Sequence, residues 1–340
     1  MNELHKKILS LSRVIRKDLF DSGWINEYSN DIFNRWGVSN LDCLVLSSLE
    51  RDISFSSIGD QNFIIFDNYI LELFDVLYKF YNRKIFPKKE ILRFIYKLLS
   101  EKHFTRGEYL ASSHYITLFS KICIPQVDEN LYCKERLYCQ QSFIFFHEFM
   151  HYLISIKKWK ITYYPPISNV LNGLGENIPK SWSPALENKF TNNKQLLEEL
   201  DCDVLGMRAA IELAKITFDT DPFISSKYIL LAHNFMFIIS IIDNIATLSK
   251  PKLIELDFNF IYRNVYIGIF LDSILVSLYE KNHNLLDDEK IKINNFTQNM
   301  ISLIGSDIDV SVPTGYEAMN VTITKELKES LKDLLLHSQV

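Results

Sequence analysis

The sequence, 340 residues long, predicts an α+β fold that is mostly helical, with a small mixed sheet, a central helix and a helical C-terminal part. Three observations carry this. Apolar residues recur at helical spacing over most of the chain. Two short runs, Phe63–Phe66 and His114–Phe119, are rich in strand formers. Glycine is scarce, 10 residues in all, which leaves few tight turns.

The elements follow in chain order. Leu4, Ile8, Leu11, Ile15 and Leu19 stand at helical spacing, so an opening helix is expected over 3–20. Phe63-Ile64-Ile65-Phe66 reads as a strand. Asp67 behind it can cap a helix through Leu71, Leu73, Leu77 and Phe80. A further helix is expected near 88–101, after Pro87, and a second strand at His114–Phe119. Pro125 ends what precedes it. A helix then runs from about Asp128 to about Lys158, and its middle, Phe143-Ile144-Phe145-Phe146, is apolar on every side. Such a helix belongs in the centre of a domain. Residues 159–193 hold Pro165, Pro166, Pro179 and Pro184 among Trp159, Tyr163, Tyr164 and Trp182. They read as a long irregular excursion, a lid, a specificity loop or a surface decoration. Asn193 can cap a helix from Lys194 to about Ala214, and apolar helices continue to about Glu280. The tail from Val310 is expected to add a strand at Val321–Thr324 and a closing helix. Residues 1–60 are thus expected to form an N-terminal helical region, and 61–340 one domain with an insertion at 159–193.

Apolar residues make up 47% and charged residues 23%, the balance of a globular protein. A net charge of −5 gives no electrostatic ground for a nucleic-acid partner. Polar residues interrupt the N-terminus too often for a signal-peptide apolar core. The most apolar stretch, Tyr228–Ile242, contains His233 and Asn234 and reads as a buried helix rather than a membrane span. Five cysteines without a CxxC pair point to reduced thiols and a cytoplasmic location.

Chemistry concentrates in Phe146-His147-Glu148-Phe149-Met150-His151, an HExxH motif on the central helix. Residues four apart share one helix face, so the two imidazoles can hold one metal ion. Neutral imidazole suits Zn2+, which takes about four ligands. Glu148 points beside the metal, where it can accept a proton from a metal-activated water. With 8 histidines in the chain, a chance match arises on the order of once in 100 such chains. The bland alternative is a buried helix with two satisfied histidines. Burying three such polar groups without partners is costly, and a metal removes that conflict.

A catalytic zinc needs a third protein ligand. Downstream, Glu198-Glu199-Leu200-Asp201-Cys202-Asp203 offers Glu198, Glu199, Asp201 and Asp203. On a helix, Glu199 and Asp203 share a face. The same acids also suit the solvated first turns of an ordinary helix. HExxH at 147–151 followed by ExxxD at 199–203 resembles the gluzincin class of zincin metallopeptidases. The resemblance spans roughly residues 128–215. It implies a zincin-like fold, Glu199 as third zinc ligand, and Asp203 as hydrogen-bond support for a ligand histidine, His147 first. Cys202 stands where many relatives have alanine. The extended metzincin pattern is missing after His151. Cys133 and Cys139 lack the glycine-rich setting of a deformylase ligand. In length and layout the chain is also similar to the bacterial Lit-type phage-exclusion peptidases, from which no substrate is carried over.

What these parts imply is hydrolysis of a peptide bond, with Glu148 as general base and a protein or peptide as substrate. One further donor should steady the tetrahedral oxyanion. His233 is the first choice, with a satisfied core histidine as its plain alternative, and Arg208 and Tyr152 stand behind it. His114–Phe119 would be the sheet edge along which substrate adds as a strand. Two competing readings are a regulatory or binding protein that keeps a zincin fold with little or no proteolytic activity, and a zinc hydrolase of non-peptide amides. Glu148 argues against the former, since a structural zinc site needs no general base.

Overall fold

The computed structural model describes residues 14–18, 24–124, 133–166, 168–169, 187–188, 191–245, 250–279, 286–308 and 324–338. They form a mostly helical α+β fold with one small mixed sheet. The chain divides into two compact units. One takes in Met1–Cys133, Asn234–Ser249 and Lys292–Val340, the other Lys134–His233 and Lys250–Ile291.

The first unit holds the sheet. Strands β1 (Ile15–Asp18), β2 (Leu41–Ser48), β3 (Ser54–Ile58) and β4 (Gln61–Asp67) lie in the order β1-β2-β4-β3. β2 and β4 run parallel in register from Leu41 opposite Asn62 to Leu46 opposite Asp67. β1 and β3 are antiparallel to their neighbours. The central pair is buried on both faces over Leu44–Ser48 and Asn62–Asp67, which is why Phe63–Phe66 reads as a continuous apolar run. β3 and β4 join through a two-residue turn in which Gly59 takes φ +62°, a left-handed value that suits glycine.

Helix α1 (Trp24–Arg35) precedes β2, and α2 (Tyr69–Asn82) follows β4. Asp67 takes the first N–H of α2, that of Tyr69, at 3.1 Å, and also accepts from Ser48 N–H at 3.0 Å. The carboxylate expected to start this helix therefore also ties it to β2. Helices α3 (Lys88–Thr105) and α4 (Tyr109–Lys121) pack together, with the Ser100 hydroxyl donating to Ser112 O at 2.6 Å.

Two expectations are corrected here. His114–Phe119 is not a strand but lies inside α4. The buried positions Ala111, Ser112, Tyr115, Ile116 and Phe119 repeat at helical spacing, and this longer pattern overrides the local strand propensity. The opening helix over 3–20 gives way to β1 where it is described, and its remainder lies outside the described residues. The open edge of β2 presents unpaired backbone groups that residues 15–18 satisfy, while Ile15 packs on Leu44, Leu46, Phe63 and Ile65. The expected helical region 1–60 thus contains three strands beside α1, and the β3–β4 hairpin crosses its boundary.

In the connection between β2 and β3, Arg51 is buried with φ +47°. Its guanidinium donates to Glu101 at 2.9 Å and to the carbonyls of Leu49 and Leu98 at 3.0 Å, and it pairs with Asp243. Tyr69 and Lys97 complete the cluster around Glu101.

The second unit is built on α5 (Lys134–Ser155), whose residues Gln140–Phe146 are buried without a break. Of the helix expected over 128–158, residues 128–132 lie outside the described residues. The Asn193 side chain accepts from Leu196 N–H at 3.2 Å and caps α6 (Lys194–Phe218), as expected. Tyr138 meets Thr217, His147 meets Asp203 and His151 meets Glu198, so α5 and α6 run antiparallel. A Cβ on Gly206 would lie 3.0 Å from His147 N and 3.2 Å from its Cα. Only glycine lets the two backbones come this close.

Residues 159–166 have no regular structure and are held to α6 by Asp201, which accepts from Thr162 N–H and the Tyr164 hydroxyl, both at 2.6 Å. Most of the remaining excursion, Trp182 included, lies outside the described residues. Helix α7 (Pro222–Ile245) carries His233, and α8 (Lys250–Tyr279) carries Arg263. Among the described residues α7 alone is long and apolar enough to cross a membrane, and 72% of its most apolar window is buried within the protein. That share fits a core helix. After α9 (Asp287–Asp307) the closing helix α10 (Lys325–His337) starts at Thr324, whose hydroxyl accepts from Leu327 N–H. Of the strand expected at 321–324 only this capping residue is described.

Candidate metal centre

The i, i+4 spacing on α5 sets the His147 and His151 rings 5.0 Å apart, partly buried on the face turned to α6. Across from them α6 presents Glu199. One ligand atom from each of His147, His151 and Glu199 falls within 4.8 Å of the other two. Glu199 Oε2 lies 3.4 Å from His147 Nε2, and its Oε1 lies 3.5 Å from His151 Nε2. These are long for hydrogen bonds. Each imidazole Nε2 faces its own oxygen of the carboxylate.

Each imidazole is held at its other nitrogen by a carboxylate. His147 Nδ1 is 3.0 Å from Asp203 Oδ1, and His151 Nδ1 is 3.2 Å from Glu198 Oε1. With both Nδ1–H groups donating, the Nε2 lone pairs turn toward the common point. This is the pattern in which outer carboxylates orient metal-binding histidines. The residues therefore fit one divalent cation bound by two nitrogens and one carboxylate.

Electrostatics agree. Burial works against a charged His147, but the Asp203 and Glu199 carboxylates outweigh it and raise its pKa to about 10. His151 goes the other way, lowered by burial and then by the charge of His147. For Glu199 burial is again overcome, by His147 and Arg263, and its pKa falls to about 2. Burial opposes ionisation of Asp203 too, but Arg263 and the histidines hold it well below the carboxylate range. Without an ion the site thus keeps a proton on His147 at neutral pH; a cation would replace that proton.

The sequence-predicted residues separate clearly. His147, His151, Glu199 and Asp203 converge. Glu148 follows His147 on α5 and is partly exposed. His233 is buried with Nε2 3.7 Å from Asp203 Oδ2, and burial lowers its pKa to about 4, so it is neutral at pH 7. It meets the site through Asp203. Arg208 forms an exposed pair with Glu212 along α6, and Tyr152 is fully buried on Phe149. Cys202 is buried, and burial together with the surrounding carboxylates pushes its thiol pKa far up.

No family model, curated protein or solved structure matches this chain. The site has to be read from its own geometry.

Sequence reasoning missed Arg263. Its Nε and Nη2 donate to the two oxygens of Asp203 at 2.6 and 2.8 Å, and its Nη1 lies 3.2 Å from Glu199 Oε2. The signal was present: Arg263 is the one cation in the apolar stretch Phe258–Leu271. A cation on such a helix needs buried anions as partners. Glu198 was weighed as a ligand, and the structure gives it to His151 instead.

Proposed function

We propose that this chain is a zinc-dependent hydrolase of peptide bonds. The observation that carries the reading is the convergence of His147, His151 and Glu199 within 4.8 Å, with Glu148 next to His147 on the same helix. Two imidazoles and one carboxylate form a donor set suited to zinc, and three protein ligands leave a position open, as catalytic zinc requires. A zinc ion there supplies Lewis acidity, acidifying a water and polarising the substrate carbonyl.

The side chains do the rest. Glu148 accepts the proton of the attacking water and hands it to the leaving amine. Asp203 and Glu198 fix the tautomers of His147 and His151, so that both imidazoles donate electron density through Nε2. Arg263 offsets the charge of the surrounding carboxylates. His233, neutral and buried, lies 3.7 Å from Asp203 and takes no part in these steps. The substrate is a protein or peptide. The five free cysteines fit a reducing compartment such as the cytoplasm.

The experiment compares purified wild type with Glu148→Gln on a denatured-protein or peptide-library substrate, with metal content measured in both. Equal metal content and loss of cleavage by about a hundredfold or more supports the reading. Equal, undiminished cleavage by both, or no cleavage by a fully loaded wild type, overturns it.

A further inference from the structure

We infer that Arg263 is a positioning residue that restricts Glu199 to a single metal-binding oxygen, an inference that rests on the metal reading above. A carboxylate can grip a cation with one oxygen or with both. In this structure the two oxygens of Glu199 have different neighbours. Oε1 lies 3.5 Å from His151 Nε2. Oε2 lies 3.4 Å from His147 Nε2 and also 3.2 Å from Arg263 Nη1.

Arg263 is not at liberty to swing away. Its Nε and Nη2 are fixed on Asp203 at 2.6 and 2.8 Å, and Asp203 is itself fixed on His147 at 3.0 Å. The guanidinium is planar, so clamping one edge to Asp203 sets the direction of Nη1. That third nitrogen meets Glu199 Oε2. The interaction is sheltered, with Asp203 almost fully buried and Glu199 and Arg263 each less than a third exposed, so water screens it weakly.

The consequence is geometric. Arg263 engages Oε2 and leaves Oε1 as the metal donor, so the protein contributes three donor atoms rather than four. The remaining position stays available to water and substrate. One cation thus holds both acids of the ExxxD pair in different roles, Asp203 as orienter and Glu199 as a one-oxygen ligand.

The test uses cobalt(II) in place of the native ion, because its visible absorption reports coordination number independently of catalysis. Wild type, Arg263→Met and Arg263→Lys are loaded with cobalt after circular dichroism and a cooperative thermal transition confirm folding. The wild type should give the intense spectrum of a four-coordinate ion. In Arg263→Met, and to a lesser extent in Arg263→Lys, Glu199 gains its second oxygen and the absorption per cobalt falls, by about threefold for the methionine variant. A folded variant with an unchanged spectrum overturns the inference while leaving the metal site intact. A five-coordinate wild-type spectrum also overturns it, with no need of either variant. A wild type that binds no cobalt removes the metal reading itself, and this inference with it.

Discussion

Replacing Gly206 by alanine adds one methyl group where α6 passes the metal-binding turn of α5. That carbon would meet His147 N at 3.0 Å, His147 Cα at 3.2 Å and the Phe146 carbonyl carbon at 3.4 Å. All three are backbone atoms inside a helix, so no side chain can turn aside. Overpacking of this kind costs about 2–3 kcal/mol. Alanine's better helix propensity returns about 1 kcal/mol. The net expectation is a loss of about 1–2 kcal/mol. Relief comes from moving the helices apart by a few tenths of an ångström, which carries Glu199 away from His147 and His151. Metal affinity should fall about tenfold, the scale seen when support around a metal site is disturbed. Gly268→Ala on α8 is the control: its added carbon meets only the Lys290 side chain, 3.7 Å away at the nearest, so propensity should raise stability by about 0.5–1 kcal/mol. Urea unfolding gives both stabilities, and competition with a chelating dye gives both affinities. A Gly206→Ala protein as stable as the Gly268→Ala one, with undiminished affinity, would refute the close-packing explanation.

Four further outcomes are expected. In the metal-free protein His147 keeps its proton up to a pH of about 10, above its ordinary 6.5. A cation must displace that proton, so affinity should rise about tenfold per pH unit between roughly 7 and 9, which calorimetry in buffers of different ionisation enthalpy would register as proton release. The same raised pKa stabilises the metal-free fold fully below about 6.5 and is lost as the pH climbs through about 10, visible as a falling melting temperature with chelator present. Asp203→Asn strips the buried Arg263 of its bidentate partner and loosens His147; stability should drop by about 3–5 kcal/mol and metal affinity by about 10–100-fold. Glu101→Gln, which weakens the buried pairing of Arg51 and Lys97, should cost about 3 kcal/mol in denaturant unfolding yet leave metal stoichiometry unchanged, because Glu101 belongs to the first unit and the metal-centre residues to the second.

What could be read from the sequence was whatever depends on spacing along one helix. His147 and His151 lie a turn apart, as do Glu199 and Asp203, so each pair's shared face follows from the helical period. Asn193 and Asp67 announced helix starts because a side-chain acceptor satisfies backbone donors whatever the tertiary setting. The continuous burial of Phe143–Phe146 was visible as an all-round apolar run, whereas that of Gln140, Gln141 and Ser142 before it was not. Hidden features depend on what another element brings. Residues 15–18 are extended because β2 offers an open edge, and His114–Phe119 is helical because the longer burial pattern of α4 governs it. The grip of Arg263 on Asp203 joins residues 60 positions apart, and the closeness at Gly206 is a property of two backbones. The lone cation of an apolar stretch announces that Arg263 needs a buried anion but not which one, and nothing local encodes the closeness at Gly206.

The most direct measurement is elemental analysis of the purified protein beside His147→Ala and Glu199→Ala. One equivalent of zinc in the wild type, lost from both variants while they remain folded, is the predicted result. A wild type without a divalent metal, or variants that keep the full equivalent, would contradict the metal centre.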